Sequence, residues 1–164
     1  MTVELRHPTI DDGAAVWRLA RDSKRLDLNT PYAYLMWTRD FHSTTLVAEI
    51  DGELGGFVTG YMRPDEPETV MVWQIAVDAK YRGRGIAGRL LDELAARTGA
   101  TALETTITDD NPQSQASFDK FAQRHGAERT VTPLFETEHF PHEDEFKPEL
   151  LHRIAPLHPT DATG

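Results

Sequence analysis

A short basic and glycine-rich segment, residues 82–87, carries the clearest chemical signal in the chain. It reads Arg-Gly-Arg-Gly-Ile-Ala and lies between an apolar run and an amphipathic stretch. A helix beginning here would offer unpaired backbone N–H groups and the positive end of its dipole to an anion. Gly83 and Gly85 would let the backbone approach that anion closely, because they lack a Cβ atom. The segment predicts a diphosphate site. A glycine-rich turn with solvated arginines is the alternative.

Two common nucleotide-binding motifs do not describe this segment. The spacing is not G-x-G-x-x-G and no strand–helix–strand unit opens the chain, which argues against a Rossmann site. The Gly-Lys-Ser/Thr of a Walker P-loop is absent from the segment.

The overall charge limits the classes of ligand. The chain has 17 basic and 27 acidic residues, a formal net charge of −10. Such a chain repels nucleic-acid phosphates and suits a cationic or zwitterionic substrate, or a high-salt cytoplasm. Lys80, Arg82 and Arg84 reverse the sign locally. With no cysteine, the chain has no disulfide, thiolate metal site or cysteine nucleophile. The first twenty residues lack an apolar signal core, so we expect a cytoplasmic protein without membrane segments.

The hydrophobic pattern places this segment in a single α/β or α+β domain over residues 1–155, with helices on both faces of one mixed sheet. Three pairs of residues are typical of helix starts: Asp11 with Asp12, Thr30 before Pro31, and Asn111 before Pro112. Asp51-Gly52 is typical of a hairpin, and a polar loop is expected at 63–68. We expect residues 156–164 to fray. Strands are predicted at 3–6, 44–50, 55–61, 70–77, 101–108, 129–135 and 150–154, and a further helix between Ile86 and Gly99.

Three parts of the chain together resemble the GNAT acetyltransferase family. They are Arg82-x-x-Gly85-x-Ala87, the strand sequence Trp-Gln-Ile-Ala-Val-Asp at 73–78, and Asn111. The resemblance implies a twisted, mostly antiparallel mixed sheet of roughly six or seven strands with about four helices. It also implies that strands 70–77 and 101–108 splay apart to hold the pantetheine arm of acetyl-CoA. The residues it assigns to the cofactor are Ile75, Ala76, Val77, Arg82, Gly83, Arg84, Gly85, Ile86, Ala87 and Asn111.

Four blocks more closely resemble the L-2,4-diaminobutyrate acetyltransferase family of ectoine biosynthesis. They are residues 26–34, 72–77 and 104–108, and the loop rich in histidine and acids before Arg153. This resemblance implies transfer of acetyl to the γ-amino group of L-2,4-diaminobutyrate by a homodimer, in the synthesis of a compatible solute. A different amine acceptor, or a non-catalytic acyl-CoA-binding module, is the alternative.

Within that resemblance, carboxylates should hold the α-ammonium of the substrate. Asp27 is the leading candidate because it lies between two leucines, although it could simply cap a loop. Trp73 could pack against an ammonium or belong to the core, and Tyr32 is expected to contact substrate. In the loop at 139–145, Glu145 is favoured ahead of Glu143 as base or ammonium ligand. The spacing of that loop matches no metal-ligand pattern, so we expect no metal.

Two features of the helix after Asn111 affect the catalytic assignment. Asn111 could both cap the helix and contact the cofactor, and with Trp73 and Glu145 it is a candidate catalytic residue. Many members of the broad family have a tyrosine where this chain has Phe118, so the acid that protonates the departing thiolate stays unassigned, with water as one possibility. Ser117 is adjacent, but we expect its side chain to point elsewhere.

Overall fold

One seven-stranded sheet organises the computed structural model, which describes residues 1–158. Its strands are β1 (Val3–Arg6), β2 (Thr45–Ile50), β3 (Glu53–Arg63), β4 (Glu66–Val77), β5 (Ala102–Ile107), β6 (Glu128–Phe135) and β7 (Glu149–Ala155). They lie in the order β1-β2-β3-β4-β5-β7-β6. Only β4 and β5 run parallel, and the other neighbours are antiparallel. The prediction of a mixed, mostly antiparallel sheet is confirmed.

Within the described part of the chain, four helices flank the sheet: α1 (Gly13–Ser23), α2 (Pro31–Asp40), α3 (Ile86–Thr98) and α4 (Pro112–Arg124). The side chain of Thr30 accepts a hydrogen bond from the first turn of α2, and that of Asn111 does the same for α4, as their sequences predict. The start of α1 differs. A 3-10 turn precedes it and the Asp12 carboxylate binds Arg6 at 2.8 Å, so Asp12 does not cap α1 with its side chain. No helix within residues 1–158 is long and apolar enough to cross a membrane.

The two faces of the sheet support separate hydrophobic clusters. Helices α3 and α4 cover one face, where Leu46 and Ile50 of β2 join the larger cluster. Helices α1 and α2 cover part of the other face, where Val47 joins the smaller cluster. Side chains two residues apart along a strand lie on the same face, and adjacent side chains lie on opposite faces. Strand β2 therefore contributes side chains to both clusters. The expected helices on both faces are confirmed.

Two local predictions are wrong. The expected loop at 63–68 is largely strand, because Arg63 pairs with Glu66 and leaves only Pro64 and Asp65 between β3 and β4. Leu157 lies in the segment expected to fray, yet its side chain is buried and its N–H donates to the Thr101 carbonyl at 2.8 Å. Residues 159–164 of that segment lie outside the described residues.

The parallel pair β4 and β5 separates partway along its length. Their pairing begins at Thr69 with Ala102 and ends at Val72 with Thr105. Beyond Val72, β4 pairs only with β3, and β5 pairs only with β7. The facing edges of both strands therefore keep unpaired backbone groups, and a gap opens between them.

Candidate functional site

A cavity of about 630 Å³ lies beside the gap between β4 and β5. Four parts of the chain build it: the last residues of β4, the turn into α3 with the start of that helix, the near side of α4, and the segment after α1 that carries Arg25 and Leu26. The lining includes every residue assigned to the cofactor by resemblance except Arg84. These lining residues are Ile75, Ala76, Val77, Arg82, Gly83, Gly85, Ile86, Ala87 and Asn111.

The turn into α3 is held by two glycines in left-handed conformation. Gly83 has φ +79° and Gly85, the N-cap residue, has φ +76°. A Cβ at either position would meet no atom within 4 Å, so it is the backbone angle, and not crowding within the chain, that favours glycine. No side chain caps α3. The backbone N–H groups of its first turn are therefore available to an anion, with the helix dipole in support.

The charge of the cavity wall is opposite to that of the chain. Five basic side chains and one acidic side chain line it: Arg25, Arg82, Arg89, Lys120, Arg124 and the acidic Asp92. The Asp92 carboxylate is already bound by Arg124 at 3.0 Å and by His125 at 2.8 Å, which offsets its charge. The wall thus favours an anionic ligand in a chain of net charge −10.

Three basic residues differ from the sequence-based expectation. Arg84 is directed away from the cavity, with its guanidinium 5.9 Å from the Tyr81 ring centre and 3.1 Å from the Met1 sulfur. Lys120 and Arg124 line the cavity although the turn motif gave no sign of them. Their spacing on α4, four residues apart, places them on one helix face and is the signal that could have found them.

Helix α4 presents small polar side chains to the cavity. Asn111 lines it while its Oδ1 accepts from the Ser114 N–H at 3.2 Å, so capping and cavity roles coexist. Ser114 and Ser117 also line it, and the expectation that Ser117 points elsewhere is wrong. Phe118 instead belongs to the hydrophobic cluster beneath α3 and α4 and is 2 % exposed.

Across the sheet from this cluster, a bulge in β4 presents Trp73 toward α1 and α2. Thr59 pairs with Gln74 and Gly60 with Val72, which leaves Trp73 as the extra residue. Its indole stacks on Trp37, with ring centroids 4.8 Å apart and planes 12° apart. Trp73 packs against the smaller cluster but keeps partial exposure, so both of its predicted roles are structurally compatible.

Two acidic residues from distant parts of the chain lie close together near the end of the gap. Asp27 is exposed in the segment between α1 and α2. Glu149 is the first residue of β7 and is half-buried. Burial raises the pKa of Glu149 and the nearby charges of Asp27 and Asp110 raise it further, while a hydrogen bond with Thr106 opposes them. Sequence reasoning missed Glu149. Its place at the start of β7, the strand that pairs with β5, was the available signal.

Like Asp27, Trp73 and Glu149, the other predicted substrate residues lie outside the cavity. Tyr32 is on the outer side of α2 and is 68 % exposed. Glu143 and Glu145 are exposed in the segment between β6 and β7. None of the three lines the cavity. Across residues 1–158, no three histidine, aspartate or glutamate side chains are placed to hold a metal ion together.

The arrangement matches known proteins in sequence and in structure. The sequence profile of the acetyltransferase (GNAT) family matches residues 14–123. L-2,4-diaminobutyric acid acetyltransferase of Nocardia farcinica is 53 % identical over 159 residues, which are 95 % of this chain and 81 % of that protein. The Streptomyces coelicolor protein of the same name is 51 % identical over 160 residues, which are 94 % of each chain.

A solved structure agrees with both. Diaminobutyrate acetyltransferase EctA from Paenibacillus lautus, in complex with L-2,4-diaminobutyric acid and coenzyme A, superposes with a TM-score of 0.89 at 37 % identity. The match covers 94 % of this chain and 95 % of that one. On the profile match, the sequence identity and the splayed sheet together, the chain belongs to the GNAT family of acetyltransferases.

Proposed function

We propose that this chain transfers the acetyl group of acetyl-CoA to the γ-amino group of L-2,4-diaminobutyrate, releasing coenzyme A and N4-acetyl-L-2,4-diaminobutyrate. The observation that carries the proposal is that a basic site and an acidic site lie at the same gap in the sheet. The basic cavity lies beside the gap, and the acidic pair Asp27 and Glu149 lies at the end of the gap. The relatives named for this reaction, and the Paenibacillus lautus protein bound to both ligands, support the same assignment.

On the cofactor side, the diphosphate of acetyl-CoA binds the free N–H groups at the start of α3 beside Arg82. The pantetheine arm then lies along the unpaired edge of β4. Backbone N–H groups near Ile75 and Val77 on that edge donate to the thioester carbonyl, and to the oxyanion that forms when the amine attacks. No covalent enzyme intermediate is required.

On the acceptor side, the attacking amine must first lose a proton. A side-chain-like ammonium with a pKa near 10.4 lies about three units above neutrality, so deprotonation costs about 4 kcal/mol. Glu149 suits the role of proton acceptor, because burial and neighbouring acids raise its pKa toward the working pH. Its position at the gap makes it a better candidate than Glu145, which is exposed in the β6–β7 segment.

The choice between the two amines of the substrate is assigned to Asp27. Its carboxylate holds the α-amine as a charged ammonium, which cannot attack, and the γ-amine is left to reach the thioester. Trp73 supports the bound cation with the accessible part of its indole. The neutral γ-nitrogen attacks the acetyl carbon, and the tetrahedral intermediate collapses with cleavage of the C–S bond. The proton that the nitrogen then loses passes through water to the departing thiolate. Tyr32 and Glu143 remain predicted contacts at the outer rim.

The assay is release of free thiol from acetyl-CoA with diaminobutyrate, putrescine or lysine as acceptor, with the acetylated nitrogen identified by NMR. We expect diaminobutyrate to react fastest and at the γ-nitrogen. Equal rates with the three amines would contradict the substrate assignment, and no thiol release with any of them would indicate a binding module. Asp27→Asn should raise the KM for diaminobutyrate without raising that for acetyl-CoA.

The proposal extends to the setting of the enzyme: ectoine synthesis for osmoadaptation, in the cytoplasm, by a homodimer. Edge strand β6 supports the dimer, because Val131, Leu134 and Phe135 on it are 47 %, 37 % and 48 % exposed. Light scattering after gel filtration measures the mass. A monomer at micromolar concentration would contradict the dimer and leave the reaction assignment intact.

A further inference from the structure

A buried amide joins strand β4 to the segment that carries Asp27. Gln74 is 5 % exposed and the Tyr34 side chain is fully buried. The Tyr34 hydroxyl donates to Gln74 Oε1 at 2.9 Å, and Gln74 Nε2 donates to the Asp27 carbonyl at 2.8 Å. The hydroxyl, the amide and the carbonyl form one continuous relay from the interior of α2 to the acceptor side of the site.

The bulge at Trp73 explains why Gln74 is available for this contact. In a regular strand, neighbouring side chains point to opposite faces. The extra residue turns both Trp73 and Gln74 toward α1 and α2. The Thr59 hydroxyl accepts from the Gln74 backbone N–H at 3.1 Å and so secures the bulge. The residue after Gln74 is Ile75, where the edge of β4 lines the cofactor cavity.

The relay binds the Asp27 segment through its backbone carbonyl, and the Asp27 carboxylate takes no part in it. A second contact of the same kind lies two residues on, where the Trp17 indole N–H donates to the Asn29 carbonyl at 3.2 Å. Two side chains thus fix the segment through backbone carbonyls. The carboxylate stays accessible to a cation at a set distance from β4.

We propose that Gln74 and Tyr34 are positioning residues that hold the ammonium-binding segment in register with the thioester-binding edge of β4, and thereby set which amine of the acceptor reacts. The inference rests on the proposed function, because it assigns Asp27 to the substrate ammonium. Loss of the relay lets Asp27 move relative to the acetyl group. Arg25 and Leu26 of the same segment also line the cofactor cavity, but the walls that β4, the turn into α3 and α4 supply are kept.

The test compares Gln74→Met, Tyr34→Phe and the control Thr38→Val. Thr38 is a buried hydroxyl of the same helix whose bond, to the Leu35 carbonyl at 2.9 Å, does not reach the Asp27 segment. A lost hydrogen bond of about 1–2 kcal/mol predicts a KM for diaminobutyrate raised roughly 5- to 30-fold in Gln74→Met. Tyr34→Phe should raise it less, because the bond to Asp27 remains. In every variant the KM for acetyl-CoA should stay within about twofold, and only Gln74→Met should yield N2-acetylated product.

Two further measurements separate the possible failures. Hydrogen–deuterium exchange of peptides covering residues 24–30 should speed up in Gln74→Met and not in Thr38→Val. If Gln74→Met does not fold, Gln74→Glu decides: its ionised form keeps an acceptor for Tyr34 but has no donor for Asp27, so the KM for diaminobutyrate should rise more steeply with pH than in the wild type. A normal KM and normal exchange in the variant that folds would overturn the relay. If Asp27→Asn also leaves the KM for diaminobutyrate unchanged, the failure lies in the proposed function instead.

Discussion

Replacing Gly85 by alanine separates backbone strain from loss of the anion site, because the chain contains a matched position elsewhere. Gly85 has φ +76° at the start of α3 and lines the cavity. Gly52 has φ +86° in the hairpin between β2 and β3 and does not line it. A Cβ at either glycine meets nothing within 4 Å. Gly52→Ala therefore carries the strain of Gly85→Ala without its effect on the cavity.

The expected magnitudes follow from these angles. An alanine in the left-handed region costs about 1–2 kcal/mol, which for a chain of this size lowers Tm by roughly 2–8 °C. Both variants should show this loss of stability. Relief of the strain in Gly85→Ala also turns the first N–H groups of α3 away from the diphosphate. One charge-assisted hydrogen bond is worth about 1.5–3 kcal/mol, so affinity for coenzyme A should fall by roughly 10- to 150-fold.

Titration calorimetry with coenzyme A, together with thermal unfolding of each variant, makes the comparison. Gly52→Ala should bind coenzyme A as the wild type does. If Gly85→Ala loses the expected stability but keeps full affinity, the turn is a structural feature and does not anchor the diphosphate. Equal losses of affinity in both variants would mean that global destabilisation, and not the local geometry, controls binding.

Three further predictions follow from individual side chains. Arg82→Gln should weaken coenzyme A binding in calorimetry with reduced salt dependence, and Arg84→Gln should not, since only Arg82 lines the cavity; equal effects would contradict this geometry. The pKa of Glu149 is raised on folding above its ordinary 4.5, so its ionised carboxylate lowers the stability of the fold above about pH 4.5. Glu149→Gln should therefore raise Tm at neutral pH, lose that gain in acid, and abolish the fall in reaction rate on the acidic side of the pH profile. A lowered Tm at neutral pH would refute this reasoning. Burial, and then the charge of Arg129, lower the pKa of His152 below its ordinary 6.5, so its contribution to stability is complete above about pH 6.5 and falls as the pH drops toward the folded value. When the free energy of unfolding is measured by urea denaturation at a series of pH values, His152→Leu should make it less dependent on pH below about pH 6.5. An unchanged pH dependence would contradict this prediction.

Features set by neighbouring residues were predictable from the sequence. The caps at Thr30 and Asn111 join a side chain to an N–H three residues on, so the chain needs no tertiary partner to form them. Asp51 and Gly52 both adopt positive φ, as the hairpin requires. The basic turn into α3 is local in the same sense. The fold class and the glycine-rich turn were therefore predictable from the sequence, helped by family resemblance.

Features that join distant segments were not predictable in this way. Arg82 and Arg84 look equivalent in the sequence, but only the packed turn directs Arg82 into the cavity. Glu149 acquires its chemical character from burial and from Asp27, which the folded sheet brings close to it. The bulge that orients Gln74 depends on register with β3.

The sequence by itself determined most of the strand and helix pattern, the glycine-rich basic turn into α3 and the net acidic charge, because short-range backbone preferences and composition decide those. Only the tertiary structure decided which acids face the gap, which arginine reaches the cavity and how the Asp27 segment is held. Those properties depend on distances between residues far apart along the chain, and packing alone sets such distances.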